Sequence, residues 1–341
     1  MIDNKKPLIG LTLEELRGVA AECGLPSFAA KQMAKWLYDK RVTDIEAMTD
    51  LSKRGREALA TEYTVGRMDP KAAAESSDGT VKYLFEGAGG RDVEAVFIPD
   101  RDRATLCVSS QAGCRMGCRF CMTGRQGFHG QLTPAAIINQ VLSVPRSADL
   151  TNLVFMGMGE PMDNLSAVMK AIEILTAPWG LAWSPKRITV SSIGKIKELR
   201  TLLEQTKVHV AISIHSPYPT ERESLMPVER AYPITQVIDL LRGFDFAHQR
   251  RLSFEYIIWR GLNDDLRHAD ALGRLLRGLD CRVNLIRYHS LPGSELRTAP
   301  EATMVAFRDR LNSLGITATI RASRGEDIQA ACGMLAGEAR Q

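Results

Sequence analysis

Three cysteines stand close enough in the sequence to share a metal centre. Cys114, Cys118 and Cys121 form a C-x3-C-x2-C pattern, whereas the other four cysteines, at positions 23, 107, 281 and 332, are single and distant. Thiolates suit soft metals, meaning zinc or an iron–sulfur cluster. Structural zinc usually takes four ligands, often as two cysteine or histidine pairs, and no second pair is present in the sequence. Three thiolates on a four-iron cluster leave one iron open to a small molecule, so the pattern favours a cluster over zinc or packed thiols.

A glycine-rich turn is the second chemically suggestive segment. Residues Met156–Pro161 read Met-Gly-Met-Gly-Glu-Pro. A dinucleotide-binding loop would need a third glycine where Met162 stands, and a proline is wrong for the start of its helix. Gly159 would let the backbone approach a ligand closely, and Glu160 could accept a hydrogen bond from an ammonium group. A purely structural turn is the alternative for this segment taken alone.

These residues need a scaffold that brings them together, and the pattern from about residue 104 predicts one. Short β-type runs alternate with helical patterns, which is typical of βα units around a parallel sheet. The β-type runs are 104–109, 152–156, 187–192, 209–214, 253–258, 282–288 and 316–321, and the helical stretches lie near 134–144, 165–176, 195–206, 234–247, 265–278 and 301–314. The sequence therefore predicts an α/β fold with an incomplete (β/α)6-type barrel rather than an eight-fold one.

Polar side chains stand at the ends of several predicted strands. The active sites of βα barrels lie at the C-terminal ends of their strands. This chain has Ser191, Ser213, Ile214, His215 and His289 at or near those ends. A lone histidine in such a place is more often a structural hydrogen-bonding group than a ligand. Several polar strand ends around one rim make a binding role the better interpretation.

The chain ahead of the barrel is predicted to divide into two further regions. Residues 1–75 form a helical domain in which Thr12 and Glu15 have the spacing of a capping box. Residues 76–103 form a β-hairpin linker region, and the small and polar residues of 72–79 resemble a linker. Residues 104–341 hold the barrel and a C-terminal extension that carries Cys332.

Composition narrows the class of protein. The 341 residues are 45% hydrophobic and carry a formal net charge of +4. The longest apolar runs, such as Leu153–Met156, are far too short to span a bilayer, so we expect a cytoplasmic protein without a membrane partner. The odd cysteine count, with no secretory signal, argues against a disulfide scaffold. Five arginines stand against one acid between positions 101 and 130, either as scattered solvated charges or as contacts to a phosphate backbone. They are Arg101, Arg103, Arg115, Arg119 and Arg125.

The cysteine pattern after the first barrel strand, with Phe120 between its last two cysteines, resembles the radical S-adenosylmethionine (SAM) superfamily. The Gly-Glu-Pro turn strengthens the resemblance. It implies a [4Fe–4S] cluster on Cys114, Cys118 and Cys121 whose open iron chelates SAM. It also implies that SAM contacts Gly159, Glu160, Ser191, Ser213, Ile214, His215 and His289. Many members have asparagine where this chain has His289.

Three segments resemble the RlmN/Cfr family of RNA methyltransferases within that superfamily. They are Ser109–Cys114, Gly157–Pro161 and the C-terminal Asp-Ile-Gln-Ala-Ala-Cys-Gly run around Cys332. The resemblance implies methylation of carbon 2 of an adenosine in 23S rRNA and in tRNA, with Cys332 carrying the methyl group. Cys107 would release the product by forming a disulfide with Cys332, and Glu94 would be the general base. It further implies RNA recognition by the N-terminal domain, a flavodoxin-like electron donor and a monomer.

Two alternatives remain open at this level. A Cfr-type enzyme would use the same machinery to methylate carbon 8, and residue chemistry alone does not separate the two carbons. A non-catalytic, metal-dependent RNA-binding module is the alternative from another class. Spacing alone would make Cys107 and Cys332 inert buried residues and Glu94 a solvated strand residue.

Overall fold

The computed structural model describes residues 5–248 and 250–337. The strands, in chain order, are β1 (Lys6–Pro7), β2 (Tyr63–Thr64), β3 (Ala72–Glu75), β4 (Val81–Glu86), β5 (Asp92–Asp100), β6 (Arg103–Cys107), β7 (Gln111–Gly113), β8 (Phe128–Gln131), β9 (Asn152–Phe155), β10 (Ile188–Ser192), β11 (His209–Ser213), β12 (Leu252–Ile258), β13 (Arg282–Arg287) and β14 (Thr317–Ile320). The α-helices are α1 (Leu13–Glu22), α2 (Ala29–Ala34), α3 (Lys53–Glu62), α4 (Met122–Arg125), α5 (Pro134–Ser143), α6 (Leu165–Thr176), α7 (Ile196–Gln205), α8 (Pro219–Leu225), α9 (Ile234–Leu241), α10 (Leu266–Leu275) and α11 (Glu301–Ser313).

A single ten-stranded sheet confirms the incomplete barrel. Its order is β14-β13-β12-β11-β10-β9-β6-β5-β4-β3. The seven strands from β6 to β14 in this order pair in parallel, each with the next. Beyond β6 the sheet continues through the antiparallel β5, β4 and β3, and β14 is the edge strand at the opposite end. The sheet therefore stays open and does not close into a barrel. Helices on one side and side chains inside bury both faces of these strands, which explains their near-continuous apolar runs.

The segment 72–79, predicted as a linker, is partly a strand. Residues Ala72–Glu75 form β3 and pair with β4 at the edge of the main sheet. The pairing uses main-chain groups, so a run of alanines with little β propensity can still complete it. The 76–103 region likewise forms the antiparallel extension of the barrel sheet, through β4 and β5.

The helices follow the predicted pattern with a few differences, and α10 ends at Leu275, three residues before the predicted end. The capping box at α1 is confirmed, since Thr12 and Glu15 exchange both hydrogen bonds. Helix α9 ends at Leu241, six residues before the predicted end, and Gly243 follows it in a turn. Helix α8 and the β7–β8 hairpin around the cysteine loop had no signal strong enough to predict them.

The N-terminal domain packs on the barrel through a common core. Buried residues of α1, α2 and α3 belong to the same apolar cluster as the barrel strands. Asn139 of α5 also ties the domains together, since it accepts from the Met68 amide and donates to the Met68 carbonyl, both at 2.9 Å. Across the described ranges, no helix has the length and apolar character needed to cross a membrane.

Candidate active site

A cavity of about 160 Å³ at the C-terminal ends of the parallel strands gathers most of the predicted site. Its wall includes Cys114, Cys118, Cys121, Gly159, Glu160, Ser191, Ser213, His215 and Cys332. The other predicted members lie outside this lining and are Ile214, His289, Cys107 and Glu94. The fold therefore brings the three loop cysteines together with Cys332, more than 200 residues later in the chain.

The cysteine loop is shaped by its backbone. It runs between β7 and α4, and the Cys114 amide donates to the Gly127 carbonyl at 2.8 Å. Gly113 has a φ of +71°, and a Cβ there would lie 1.9 Å from the Gly127 oxygen. Only glycine fits that position, because any side chain would collide with backbone. The loop is thus held in a tight bend that turns its thiols towards the cavity.

The three thiols have the chemistry of a metal-cluster site. Burial raises the pKa of the Cys114 thiol to about 12, and burial also raises the pKa of Cys118 and of Cys121. Such thiols ionise only beside a strongly cationic group, and metal binding supplies one. No three His, Cys, Asp or Glu side chains in the described ranges converge on a point that would hold a single metal ion. A four-iron cluster does not require such convergence, because each thiolate binds a different iron.

Glu160 fastens the glycine turn to the next strand. Its two carboxylate oxygens accept from the Met162 amide at 3.1 Å and from the Ile193 amide at 3.0 Å. Burial raises the pKa of Glu160 to about 7, although hydrogen bonds to its carboxylate, the Ser192 hydroxyl first among them, work in the opposite direction. Gly159 has a φ of +97°, and a Cβ there would lie 2.5 Å from the Gln111 side chain. The turn therefore needs glycine for both its conformation and its close approach.

His215 is held as a neutral imidazole in a left-handed backbone conformation. Its φ is +57°, and its Nδ1 accepts from the Ile257 amide at 3.0 Å. The proton of the neutral ring must then lie on Nε2. Burial and the nearby Arg222 guanidinium lower the pKa of His215 to about 3. The side chain of Asn263 supports the backbone here by donating to the His215 carbonyl at 2.7 Å.

Two of the other strand-end candidates, Ile214 and His289, do not line the cavity. The Ile214 side chain is fully buried, and its amide donates to the Glu255 carbonyl at 3.1 Å. The ring nitrogens of His289 face Ser323 Oγ and Glu326 Oε1, both at 3.2 Å. His289 therefore contacts the segment that leads to Cys332.

The two spare cysteines lie near each other. Cys107 ends β6 and is buried, whereas Cys332 is exposed and lines the cavity. Burial raises the pKa of Cys107 to about 12, the Cys332 thiol adds to this effect, and the Met156 amide and Arg321 oppose it. Desolvation of its thiol likewise raises the pKa of Cys332, and Arg321 opposes the rise. Both thiols are free in this structure, so the disulfide implied by the family resemblance is not formed.

The C-terminal segment that carries Cys332 is fixed at both the cluster loop and Glu94. The Met122 amide donates to the Gly333 carbonyl, and the Thr123 hydroxyl donates to the Leu335 carbonyl, both at 2.7 Å. Glu94, only 1% exposed, accepts from the Ala336 amide at 2.8 Å and pairs with Lys82 at 2.9 Å. Glu94 is therefore buried against the Cys332 segment, not a solvated strand residue.

Sequence reasoning missed two charged residues around this cavity, Arg222 and Glu255. The fully buried Arg222 pairs with Glu229 and donates to the carbonyls of Ile193, Ser213 and Ile214, joining the ends of β10 and β11. Glu255 and Arg321 line the cavity itself. One signal could have found Glu255, since it is a lone acid in the otherwise apolar and neutral run Leu252–Ile258. Arg222 stands in a polar helix without any such signal.

The arginines of the basic stretch are exposed, but several have partners. Arg115 pairs with Asp163 at 2.9 Å, and its guanidinium lies 4.0 Å from the centre of the Phe128 ring. Arg125 donates to the Arg119 and Pro292 carbonyls. These contacts hold the guanidinium groups beside the cluster loop.

The fold and the cavity define a radical SAM enzyme, and comparison with known proteins agrees. Residues 108–272 match the family model of the radical SAM superfamily, and residues 6–65 match that of the ribosomal RNA large subunit methyltransferase N-terminal domain. A crystal structure of a radical SAM methyltransferase from Sphaerobacter thermophilus superposes with a TM-score of 0.91 at 40% identity, covering 97% of this chain and 99% of the other.

Curated relatives identify the particular family. The chain is 58% identical to a probable dual-specificity RNA methyltransferase RlmN of Parabacteroides distasonis, over 98% of this chain and 97% of the relative. It is 41% identical to the dual-specificity RNA methyltransferase RlmN of Syntrophotalea carbinolica, over 98% of this chain and 91% of the relative. The chain belongs to the RlmN family of radical SAM RNA methyltransferases.

Proposed function

We propose that this enzyme methylates carbon 2 of an adenosine in 23S rRNA and in tRNA, through a methyl group carried by Cys332. The observation that carries the proposal is the position of Cys332, which lines one cavity with Cys114, Cys118 and Cys121. The neighbouring buried Cys107 supplies a second thiol for release. The names of the relatives, as dual-specificity RNA methyltransferases, support the two classes of RNA substrate.

The residues of the cavity fit both cofactors. Cys114, Cys118 and Cys121 would hold a [4Fe–4S] cluster, since their thiols are buried and require a cationic partner. From the cavity wall, SAM would be bound by Gly159 and Glu160 of the turn and by Ser191, Ser213 and His215 from the strand ends. The family resemblance adds Ile214 and His289, which lie outside that wall. A bound cluster and SAM would supply a 5′-deoxyadenosyl radical that abstracts hydrogen.

A radical route suits the chemistry of the target atom. Carbon 2 of adenine is an electrophilic, amidine-type carbon, so it does not attack a methyl sulfonium directly. Cys332 as thiolate first takes the methyl group of one SAM, and its S-methyl then loses a hydrogen atom. The resulting carbon radical adds to carbon 2, which joins the RNA to Cys332.

Cys107 and Glu94 would complete the reaction. The adduct would pass one electron to an acceptor of the flavodoxin class, the proposed electron donor in its oxidised form, and Glu94 would take the proton from carbon 2. Cys107 as thiolate then attacks the Cys332 sulfur, so that a disulfide forms and the bond between that sulfur and the methylene carbon breaks. The electron pair left on the methylene carbon takes up a proton, which completes the methyl group of the released base. The Ala336 amide donates a hydrogen bond to Glu94, which places Glu94 against the segment that carries Cys332 and supports this role.

The target base must leave its stack, because an enclosed cavity cannot reach carbon 2 inside a helix. We propose that the helical domain of residues 1–75 recognises the RNA, largely by shape. The exposed arginines of the 101–125 stretch, with Arg321 and Arg324, would contact phosphates. We also propose a flavodoxin-like electron donor, a monomeric state and a cytoplasmic location for the enzyme.

Two variants test the separate roles proposed for Cys332, as the methyl carrier, and for Cys107, as the thiol that releases the product. Cys107→Ala should accumulate a covalent RNA–protein adduct, because addition proceeds and release does not. Cys332→Ala should keep its iron but form no adduct and carry no methyl group. Denaturing gels with and without ribonuclease, together with intact mass, measure both. An adduct on Cys332→Ala, or full turnover without adduct in Cys107→Ala, would refute the assignment.

The product itself separates the alternatives. Nucleosides from RNA treated with the anaerobically reconstituted enzyme can be compared by mass spectrometry with 2-methyladenosine and 8-methyladenosine standards. The 8-methyl product would make this a Cfr-type enzyme. A protein that binds RNA and one zinc ion, without SAM cleavage on reduction, would be the non-catalytic module.

A further inference from the structure

Glu255 presents an unsatisfied carboxylate oxygen at the cavity. The residue lies in the middle of β12, is 4% exposed, and lines the cavity with Ser213 and Cys332. Its Oε1 accepts from the Asn284 side chain at 2.7 Å and from the Ser253 hydroxyl at 3.0 Å. Its Oε2 has no hydrogen-bond partner in the described part of the chain. The nearest cation, Nη1 of Arg321, lies 3.6 Å from Oε2, too far for a hydrogen bond.

This arrangement is costly unless a ligand completes it. The ion pair with Arg321 offsets part of the lost hydration of Oε2, but a buried carboxylate oxygen without a hydrogen bond remains unfavourable. The remaining hydrogen bonds of the group hold it rigidly, since Asn284 is itself fixed by the Thr319 hydroxyl at 3.2 Å. The carboxylate is thus preorganised: Oε1 is hydrogen-bonded to the protein, and Oε2 is ion-paired with Arg321 but still able to accept a hydrogen bond.

The surrounding wall indicates which ligand would complete it. Phe155, Ile193, Ile257 and Ile286 line the same cavity, so a flat, largely apolar group fits beside the carboxylate. A carboxylate oxygen accepts hydrogen bonds only, so the ligand must present an N–H or O–H. An adenosine combines these properties through its planar base, exocyclic amino group and ribose hydroxyls.

We propose that Oε2 of Glu255 accepts a hydrogen bond from an adenosine bound in this cavity. The inference rests on the proposed function, in which two adenosines enter the site, that of SAM and that of the RNA target. Glu255 pairs in register with Ser213 across β11 and β12, which favours the adenosine of SAM as its partner. Glu255 thereby adds a specificity-determining group to the binding residues derived above.

The test uses the anaerobically reconstituted holoenzyme and the variant Glu255→Gln. Ser253→Ala is the matched control, because it removes a contact to Oε1 and leaves Oε2 unchanged. Loss of one charged hydrogen bond in Glu255→Gln should weaken binding of the adenosine ligand by roughly tenfold or more. Equilibrium dialysis with S-adenosylhomocysteine tests for a contact to the adenosine of SAM. Methylation kinetics of an RNA stem-loop at saturating SAM test for a contact to the target adenosine. Iron content and thermal unfolding verify that each variant is loaded and folded.

Weaker S-adenosylhomocysteine binding in Glu255→Gln but not in Ser253→Ala supports the adenosine of SAM. Unchanged binding with a raised KM or lowered kcat for RNA supports the target adenosine. If both measurements match wild type in a folded variant, the proposal is overturned while the proposed function stands. A wild type that binds S-adenosylhomocysteine but never methylates RNA would instead overturn the proposed function. Should Glu255→Gln fail to fold, Glu255→Asp, which withdraws the oxygen by one methylene, is measured in the same way.

Discussion

Replacing Asn263 tests whether the His215 backbone is part of the SAM site. Asn263 is fully buried, and its side chain donates to the His215 and Ile257 carbonyls at 2.7 and 2.8 Å. It also accepts from the Trp259 amide at 2.7 Å. Asn263→Ala would remove all three hydrogen bonds and leave their backbone partners buried.

The expected cost follows from those contacts. At about 1 kcal/mol net for each hydrogen bond, Asn263→Ala should lower the free energy of unfolding by about 3 kcal/mol. His215 also occupies a left-handed conformation that costs a non-glycine residue roughly 1–2 kcal/mol. Without the Asn263 amide the strand end can relax from this conformation, and SAM binding should weaken about tenfold.

Urea unfolding and equilibrium dialysis with SAM measure the two effects. Asn312→Ala is the control, since Asn312 is exposed, its side chain accepts from the Ala318 amide at 2.9 Å, and it does not line the cavity. That variant should lose about 1 kcal/mol or less and bind SAM normally. A loss below 1 kcal/mol in Asn263→Ala would show that the buried groups find other partners. If Asn263→Ala loses the full free energy of unfolding expected but binds SAM as tightly as wild type, the His215 backbone is not part of the SAM site.

Three further outcomes are expected. Cys118→Ala should lose iron and SAM cleavage, since two thiolates cannot hold the cluster with one iron open; normal iron content and activity would refute the cluster assignment. Because the pKa of His215 is lowered from about 6.5 to about 3, its contribution to stability is complete above pH 6.5 and declines as the pH falls towards 3. Wild type should therefore lose about 2 kcal/mol from this group between pH 8 and pH 5 in urea unfolding, and His215→Asn, which has no titrating imidazole, should not show that loss. Gly159→Ala should weaken SAM binding and lower the thermal midpoint, because its Cβ would meet Gln111 at 2.5 Å. Gly261 also has a positive φ, of +70°, but an added Cβ there would meet no atom within 4 Å, so Gly261→Ala tests backbone strain without a collision. If Gly159→Ala and Gly261→Ala lower the thermal midpoint equally, the collision argument is refuted.

The sequence by itself determined the parallel sheet and most of the site. Strand and helix periodicities are local, so the runs from 104 onwards predicted the βα units to within one or two residues, except that α9 ends six residues early and α10 three. The cysteine spacing indicated a soft metal because metal ligands follow simple rules of type and number. Resemblance to the RlmN family, carried by a few short motifs, supplied the roles proposed for Cys107 and Cys332.

Only the tertiary structure decided which side chains share the cavity. The alanine strand β3 escaped prediction because its pairing depends on main-chain groups of a distant strand. Arg222 and Asn263 escaped because each acts through partners supplied by other elements, at distances that no local pattern encodes. Glu255 is a lone acid in an apolar strand, but only the packing shows that it lines the cavity. His289 lies just beyond the end of β13, as predicted, and the packing decides that its ring nitrogens face Ser323 and Glu326. Strand periodicity tells which residues alternate along a strand, whereas the packing of distant segments decides what each of them touches.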